Sequence, residues 1–283
     1  MKKWNLIIDL ERGVDFINAV LSAKDEYVGN EHPGYSAPVA LESSDIMTLE
    51  RKVRGQTPVV DATNLLRTCN HCDDAPCLKI GGDAVRKRDD GIVIIDPEKA
   101  KGRKDLVDSC PYGAVVWNEE LQLPQAWIFD AHLLDNGWDQ PRCVQSCASS
   151  GGIEAIKTTD EDMQRRVKAE GLEVLKPELN TRPRVYYRNL YRYNTCFVGG
   201  TVVTEVGSTE ECLEGVKVML HTDDIVLETK TDVFGEFRID RLEPRSGDCK
   251  VVIEHPGFKP ESVGVNVQES VYVGVIKLDA SNS

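Results

Sequence analysis

The chain has too few basic residues to grip a polyanion. Its 283 residues include 34 Lys and Arg against 47 Asp and Glu, a formal net charge of −13. Phosphate binding needs a basic footprint, so a nucleic-acid partner is not expected. The deficit is uneven: from Cys196 onward sixteen acids face eight bases, net −8, and the first 195 residues carry the other −5. A membrane span or secretory leader is also missing from the opening MKKWNLIIDLERGVDF, whose apolar run is interrupted by Asp9, Glu11 and Arg12. The expectation is a cytoplasmic protein without a membrane partner. Histidine is scarce, at five residues. His32 and His132 stand isolated, and a general base needs a positioned partner, so both read as packed or interface residues and no catalytic residue is assigned.

Cysteine, by contrast, is plentiful, at nine residues. In a reducing compartment these are metal ligands or buried thiols instead of disulfides, Cys212 and Cys249 among the buried ones. Cys69, Cys72 and Cys77 form a tight run in TCNHCDDAPC, and Cys110 follows in DSCPYG with Pro111 behind it. Three near thiols and one remote thiol can close a tetrahedral shell. Soft thiolates select zinc, copper(I) or iron–sulfur clusters. A trailing Cys-Pro, whose thiol serves a cluster remote in sequence, marks the iron–sulfur case. The reading is one [4Fe–4S] cluster on Cys69, Cys72, Cys77 and Cys110. The alternatives are zinc, although its usual second ligand pair is missing, and small buried thiols without metal. His71 lies too close to the first two thiols to be an easy fourth ligand.

The surrounding pattern is that of a bacterial ferredoxin module. Residues 4–10 alternate as a strand, Val14, Phe16, Ile17, Val20 and Leu21 fit an amphipathic helix, and 46–53 read as a strand stopping before Gly55. Asp90-Gly91 supplies a hairpin turn, Pro97 opens one or two short helices leading to Cys110, and a second hairpin pairs GAVVW with LPQAWIF. Thr159, three residues before Asp162, and Gly171 bound a capped helix. From Cys196 short β-rich runs alternate with turn residues, which points to a small antiparallel sandwich. The fold class is therefore α+β. Residues 1–175 are a ferredoxin-like iron–sulfur domain, 176–195 a Tyr/Arg-rich linker and expected subunit contact, and 196–283 the β-sandwich.

These motifs resemble the iron–sulfur small subunits of pyrogallol–phloroglucinol-type transhydroxylases, within the ferredoxin-like subunits that accompany molybdopterin oxidoreductases. The resemblance runs through HPGY at 32–35, CNHCDDAPC at 69–77, DGIVIIDPEKAKG at 90–102, SCPYG at 109–113, AHLLD at 131–135, PELNTRPRVYYRNLYR at 177–192 and TDVFGEF at 231–237. It implies a heterodimer, or a higher assembly, with a separate large catalytic subunit that carries molybdopterin guanine dinucleotide. It also implies a sandwich of the transthyretin-like or carboxypeptidase-regulatory type, and a non-catalytic role for this chain in a hydroxytransferase or oxidoreductase acting on polyhydroxylated aromatics. Alternatives are an electron-transfer subunit feeding an external acceptor and a structural adaptor with zinc or no metal. The chain departs from the family where other clusters would sit. Four N-terminal ligand places are Gly13, Phe16, Ala19 and Ala23, and two later ones are Trp127 and Asp130. Cys143 and Cys147 remain as relic thiols without partners. Phe16 and Trp127 have the bulk to fill the space that a lost cluster leaves.

Overall fold

The computed structural model describes residues 1–41, 45–223 and 225–281. It divides into two compact units, one made of 1–51 and 64–190, the other of 52–63 and 191–283. The expected linker at 176–195 is thus shared, 176–190 with the first unit and 191–195 with the second.

The first unit is built on a three-stranded sheet. Strand β1 (Lys3–Asp9) lies between β8 (Ile153–Thr158), antiparallel, and β9 (Val185–Arg188), parallel. A 3-10 turn at Leu10–Asp15 leads into helix α1 (Phe16–Tyr27), whose buried row is Phe16, Ala19, Val20, Ala23 and Tyr27. Strands β2 (Thr48–Gln56) and β3 (Val59–Arg67) form a hairpin whose tip belongs to the second unit. The β2 strand continues through Gly55, beyond the end expected for it. Gly55 has φ +77°, and a Cβ there would fall 2.5 Å from the Phe197 ring, so only glycine lets the strand pass.

The thiol-bearing part is made of short elements. Helix α2 (Pro76–Gly81) is followed by the hairpin β4 (Val85–Lys87) and β5 (Val93–Ile95), then by α3 (Asp105–Asp108) and the hairpin β6 (Val116–Asn118) and β7 (Leu123–Gln125). Helices α4 (Ala131–Asp135) and α5 (Arg142–Ser146) return the chain to β8, with α5 packed on α1. Helix α6 (Asp160–Glu170) begins at Thr159, which accepts from the Asp162 N–H, and ends at Gly171 in the left-handed region, as the capping residues predict.

In the second unit a single turn, α7 (Tyr191–Asn194), leads into a sandwich. One sheet is centred on β10 (Cys196–Val206), flanked by β11 (Thr209–Cys212), β14 (Glu236–Leu242) and β17 (Val271–Lys277). The other orders β13 (Val226–Lys230), β12 (Lys217–His221), β15 (Gly247–Glu254) and β16 (Glu261–Val267). Inward residues of both sheets, among them Val198, Val218, Leu220, Ile239, Val251 and Ile276, form one core. The pairing is antiparallel except that β17 runs parallel to β10. Cys249 is buried as expected, but Cys212, at the end of β11, is exposed.

Candidate metal centre

Two separate segments carry the four predicted thiols. Cys69 and Cys72 lie in the loop after β3, Cys77 is in the first turn of α2, and Cys110 follows α3. Arg67, the last residue of β3, joins the segments by donating from Nη2 to the Tyr112 carbonyl at 2.7 Å. The Cys110-Pro111-Tyr112-Gly113 turn closes with a Gly113 N–H to Cys110 carbonyl bond of 3.0 Å, Gly113 taking φ +63°. All four cysteines fall in one apolar cluster with Ala75, Ala84, Val85, Val93, Leu106 and Tyr112. They are close enough that a charge on Cys110 is felt at each of the other three. Burial pushes the Cys72 and Cys77 thiols up to about 11 and Cys69 well above its usual range. Four thiolates in this pocket therefore need compensating positive charge, which coordinated metal supplies.

The spacing and the hydrogen bonding suit a cluster better than a single ion. Around one zinc at about 2.3 Å, thiolate sulfurs would lie roughly 3.8 Å apart. Among the described residues no three of these thiols come within 4.8 Å of one another. Groups that can donate to sulfur lie near the thiols and offset part of the effect of burial: the His71 N–H at Cys69, the Thr181 hydroxyl at Cys72 and the Leu78 N–H at Cys77. Further buried polar atoms without a protein partner flank Cys69, namely Thr68 Oγ1, Asn70 Oδ1 and His71 Nε2. Orphaned polar atoms are rare in interiors and suit a site built around a polar group. The residues present thus fit an iron–sulfur cluster. His71 is buried, and its Nδ1 accepts from the Val93 N–H at 3.1 Å. Burial, followed by the charges of Lys87 and Arg184, lowers its pKa to about 3, so the ring is neutral.

The places where cysteine is missing are brought together as well. Phe16 is fully buried, its ring over Gly13 and Gly152, where added Cβ atoms would fall 2.9 and 2.7 Å from it. Ala19 and Ala23 lie on the same buried face of α1. Trp127 is fully buried, and its indole donates to Asp130 Oδ1 at 2.9 Å. The same oxygen accepts from the Tyr27 hydroxyl at 2.7 Å, and Oδ2 accepts from the Arg142 N–H at 2.8 Å. Asp130 is therefore a buried side chain that accepts from three donors. Cys143 and Cys147 are buried on α5 and its end, with Cys147 Sγ donating to the Asp15 carbonyl at 3.4 Å. Burial raises both thiols, Cys147 to about 11.

Two features escaped the sequence reading. A C-x2-C-x2-C-x3-C-P run ending at Cys110-Pro111 would place its first three cysteines at 100, 103 and 106, and C-x2-C-x4-C-x3-C from Cys69 would place its last at 81. Those positions hold Ala100, Arg103, Leu106 and Gly81. Ala100 and Leu106 are fully buried, and a Cβ on Gly81 would fall 2.2 Å from Val85 Cγ2 and 3.3 Å from Leu106 Cδ2. The Cys-Pro signal counted backward finds Ala100, Arg103 and Leu106, and the run from Cys69 counted forward finds Gly81. The second feature is a set of ligand-type atoms from Glu26, His32 and His132 lying within 4.8 Å. Glu26 Oε1 is held by His132 Nε2 at 2.7 Å and Oε2 by Arg142 Nη1 at 2.6 Å, with the imidazoles stacked at 3.9 Å. Both carboxylate oxygens are occupied, so this is an ion-pair knot with packed histidines.

Fold and site together define an iron–sulfur subunit of the ferredoxin-like type with an appended β-sandwich. A family model of the 4Fe-4S dicluster domain matches residues 60–154, and a carboxypeptidase regulatory-like domain matches 198–278. The chain is 42% identical to the pyrogallol hydroxytransferase small subunit of Pelobacter acidigallici, over 98% of this chain and all of that one. It is 32% identical to the beta subunit of dimethylsulfide dehydrogenase of Rhodovulum sulfidophilum, over 49% of this chain and 43% of the relative. Identity is 28% to the iron–sulfur subunit of a putative dimethyl sulfoxide reductase of Halobacterium salinarum, over 67% of this chain and 80% of the relative. The chain belongs to the family of pyrogallol hydroxytransferase small subunits, relatives of the iron–sulfur subunits of molybdopterin oxidoreductases. Among the described residues no helix is long and apolar enough to cross a membrane.

Proposed function

We propose that this chain is the non-catalytic small subunit of a cytoplasmic, molybdopterin-dependent hydroxytransferase acting on polyhydroxylated aromatics, and that it holds one [4Fe–4S] cluster on Cys69, Cys72, Cys77 and Cys110. Its partner is a large subunit carrying the molybdopterin and the active site, the two forming a heterodimer. The observation that carries the single-cluster reading is the pairing of four grouped thiols with closed neighbouring places. Gly81, Ala100, Arg103 and Leu106 stand where a dicluster module needs ligands, and Phe16, Trp127 and Asp130 fill the N-terminal counterpart.

The cluster supplies one-electron redox capacity and a rigid cross-link between the 69–77 and 110 segments. This chain's residues supply the thiolates, donors to their sulfurs and the exclusion of water. A solitary cluster is not a relay, so the chain is suited to a partner whose reaction moves a hydroxyl with no net electron change. Because the thiols come from segments that meet only in the folded chain, cluster binding also stabilises the fold.

The test is iron and acid-labile sulfide per chain in the complex purified anaerobically. The expected result is about four of each; about eight would show a second cluster and none would remove the reading. The large subunit should co-purify with the molybdopterin.

A further inference from the structure

Phe197 of β10 is fully buried, yet it stands outside the sandwich core that takes in its neighbours Cys196 and Val198. Cations cover it: the Arg238 guanidinium lies 4.2 Å from the ring centre and that of Arg54 5.4 Å. Arg54 also lies 5.9 Å from the Tyr191 ring, and Arg241 lies 4.0 Å from the same ring. Arg238, Phe197, Arg54, Tyr191 and Arg241 thus form one arginine–aromatic stack within the second unit. Arg241 reaches Tyr191 from a bulge. Cys196 faces Leu242 but Val198 faces Ile239, and Arg241 takes φ +66° in the slip between them. A bulge re-aims a side chain. Within the unit Arg54, Arg192 and Arg238 share the two carboxylates of Asp61 and Asp240. Arg241 adds a fourth guanidinium, exposed and without an ion pair among the described residues.

We infer that this stack is a docking site for an acidic segment of the large subunit, with Arg241 as the contact that fixes it. Charge complementarity selects the occupant. A chain of net charge −13 repels an acidic partner as a whole, whereas a spot where four guanidiniums meet two carboxylates attracts one. Such a spot decides where the partner lands and in which register. An arginine fork takes a carboxylate through two hydrogen bonds, and stacking on Tyr191 holds the fork ready for it. Arg and Tyr are also the residue types that carry most of the binding energy at protein interfaces. Arg54 is buried beneath and supports the stack from inside. The inference rests on the large subunit proposed above.

The test is the affinity of this chain for the large subunit, measured by diluting the anaerobically purified complex at several salt concentrations, in the parent and in Arg241→Lys, Arg241→Gly and Arg241→Glu. Glycine suits a backbone at φ +66°, so Arg241→Gly should keep the parent's iron and an unfolding midpoint at or above the parent's. It is nevertheless expected to weaken the complex severalfold. Arg241→Glu should weaken it by about tenfold and flatten its salt dependence. Arg241→Lys should fall between parent and glycine variant. Parental affinity and salt dependence in the glycine and glutamate variants overturn the inference. Should Arg241→Glu fail to fold, Arg241→Gly decides: a weakened complex supports the inference and an unchanged one overturns it. If the parent complex holds two copies of this chain and Arg241→Glu separates them while keeping the large subunit, a second copy is the occupant and the inference is overturned. A parent chain that brings down no large subunit fails the reading beneath instead, and that failure is seen before any variant is made.

Discussion

The retained thiol site and the closed sites beside it lie in the same unit and solve opposite problems. Beside Cys110, burial pushes the Cys69, Cys72 and Cys77 thiols up, and Thr68 Oγ1, Asn70 Oδ1 and His71 Nε2 have no protein partner. Around Phe16, Trp127 and Asp130 the interior is complete as it stands, with rings over glycines and a carboxylate holding three donors. Polar atoms of the first region lack protein partners, whereas the second is finished by its own side chains. A cluster is lost without loss of fold only when its volume and its anionic charge are both replaced. On the proposed single-cluster reading, Phe16 and Trp127 replace volume and Asp130 gathers the buried donors.

The largest break in this comparison should come from the thiol side. Replacing Cys69 or Cys110 by Ala should abolish bound iron and leave the first unit largely unfolded, read from iron content and circular dichroism of the purified complex. Next is the finished side. Trp127→Ala opens a cavity and frees a donor to Asp130, at an expected cost of about 3–5 kcal/mol with iron content unchanged, read from the unfolding midpoint. Asp130→Ala strands the Tyr27, Trp127 and Arg142 donors and should cost about 3 kcal/mol. Restoring cysteine together at positions 81, 100, 103 and 106 sharpens the contrast. Iron should stay at the parent level, because Val85 and the surrounding packing occupy the space; a doubling would show that the site is merely unliganded. The smallest effect belongs to Cys143→Ala with Cys147→Ala, which should leave iron unchanged and cost about 1 kcal/mol in packing. Iron lost from that pair would make them ligands.

Much of the site was legible in the residues because sulfur chemistry is specific to residue type. No other side chain stands in for thiolate, so Cys69, Cys72, Cys77 and Cys110 announce themselves by spacing. Losses are harder to read. Gly81, Ala100, Arg103 and Leu106 are not thiols, and they become visible only when the Cys-Pro run is counted backward and the Cys69 run forward. The β2–β3 hairpin shows a different limit: the strand was expected to stop before Gly55, yet it continues through a left-handed glycine beneath Phe197. Within the second unit Arg54 pairs with Asp240 at 3.1 Å and also binds Asp61. Local pattern does not show such ties between the hairpin tip and a sandwich that begins over a hundred residues later.

What the sequence determined by itself was the set of four grouped thiols, the capped helix, the hairpins at Asp90-Gly91 and Asn118–Leu121, and the alternation that builds two sheets. Each depends on local backbone preference or on a single residue type. Only the tertiary structure decided that residues 181–184 are tied to the thiol loop, that Thr181 and Tyr112 form a hydroxyl pair, and that buried Asp130 gathers the Tyr27, Trp127 and Arg142 donors. Those arrangements rest on hydrogen bonds between residues far apart in sequence, and such partners are fixed by packing in three dimensions.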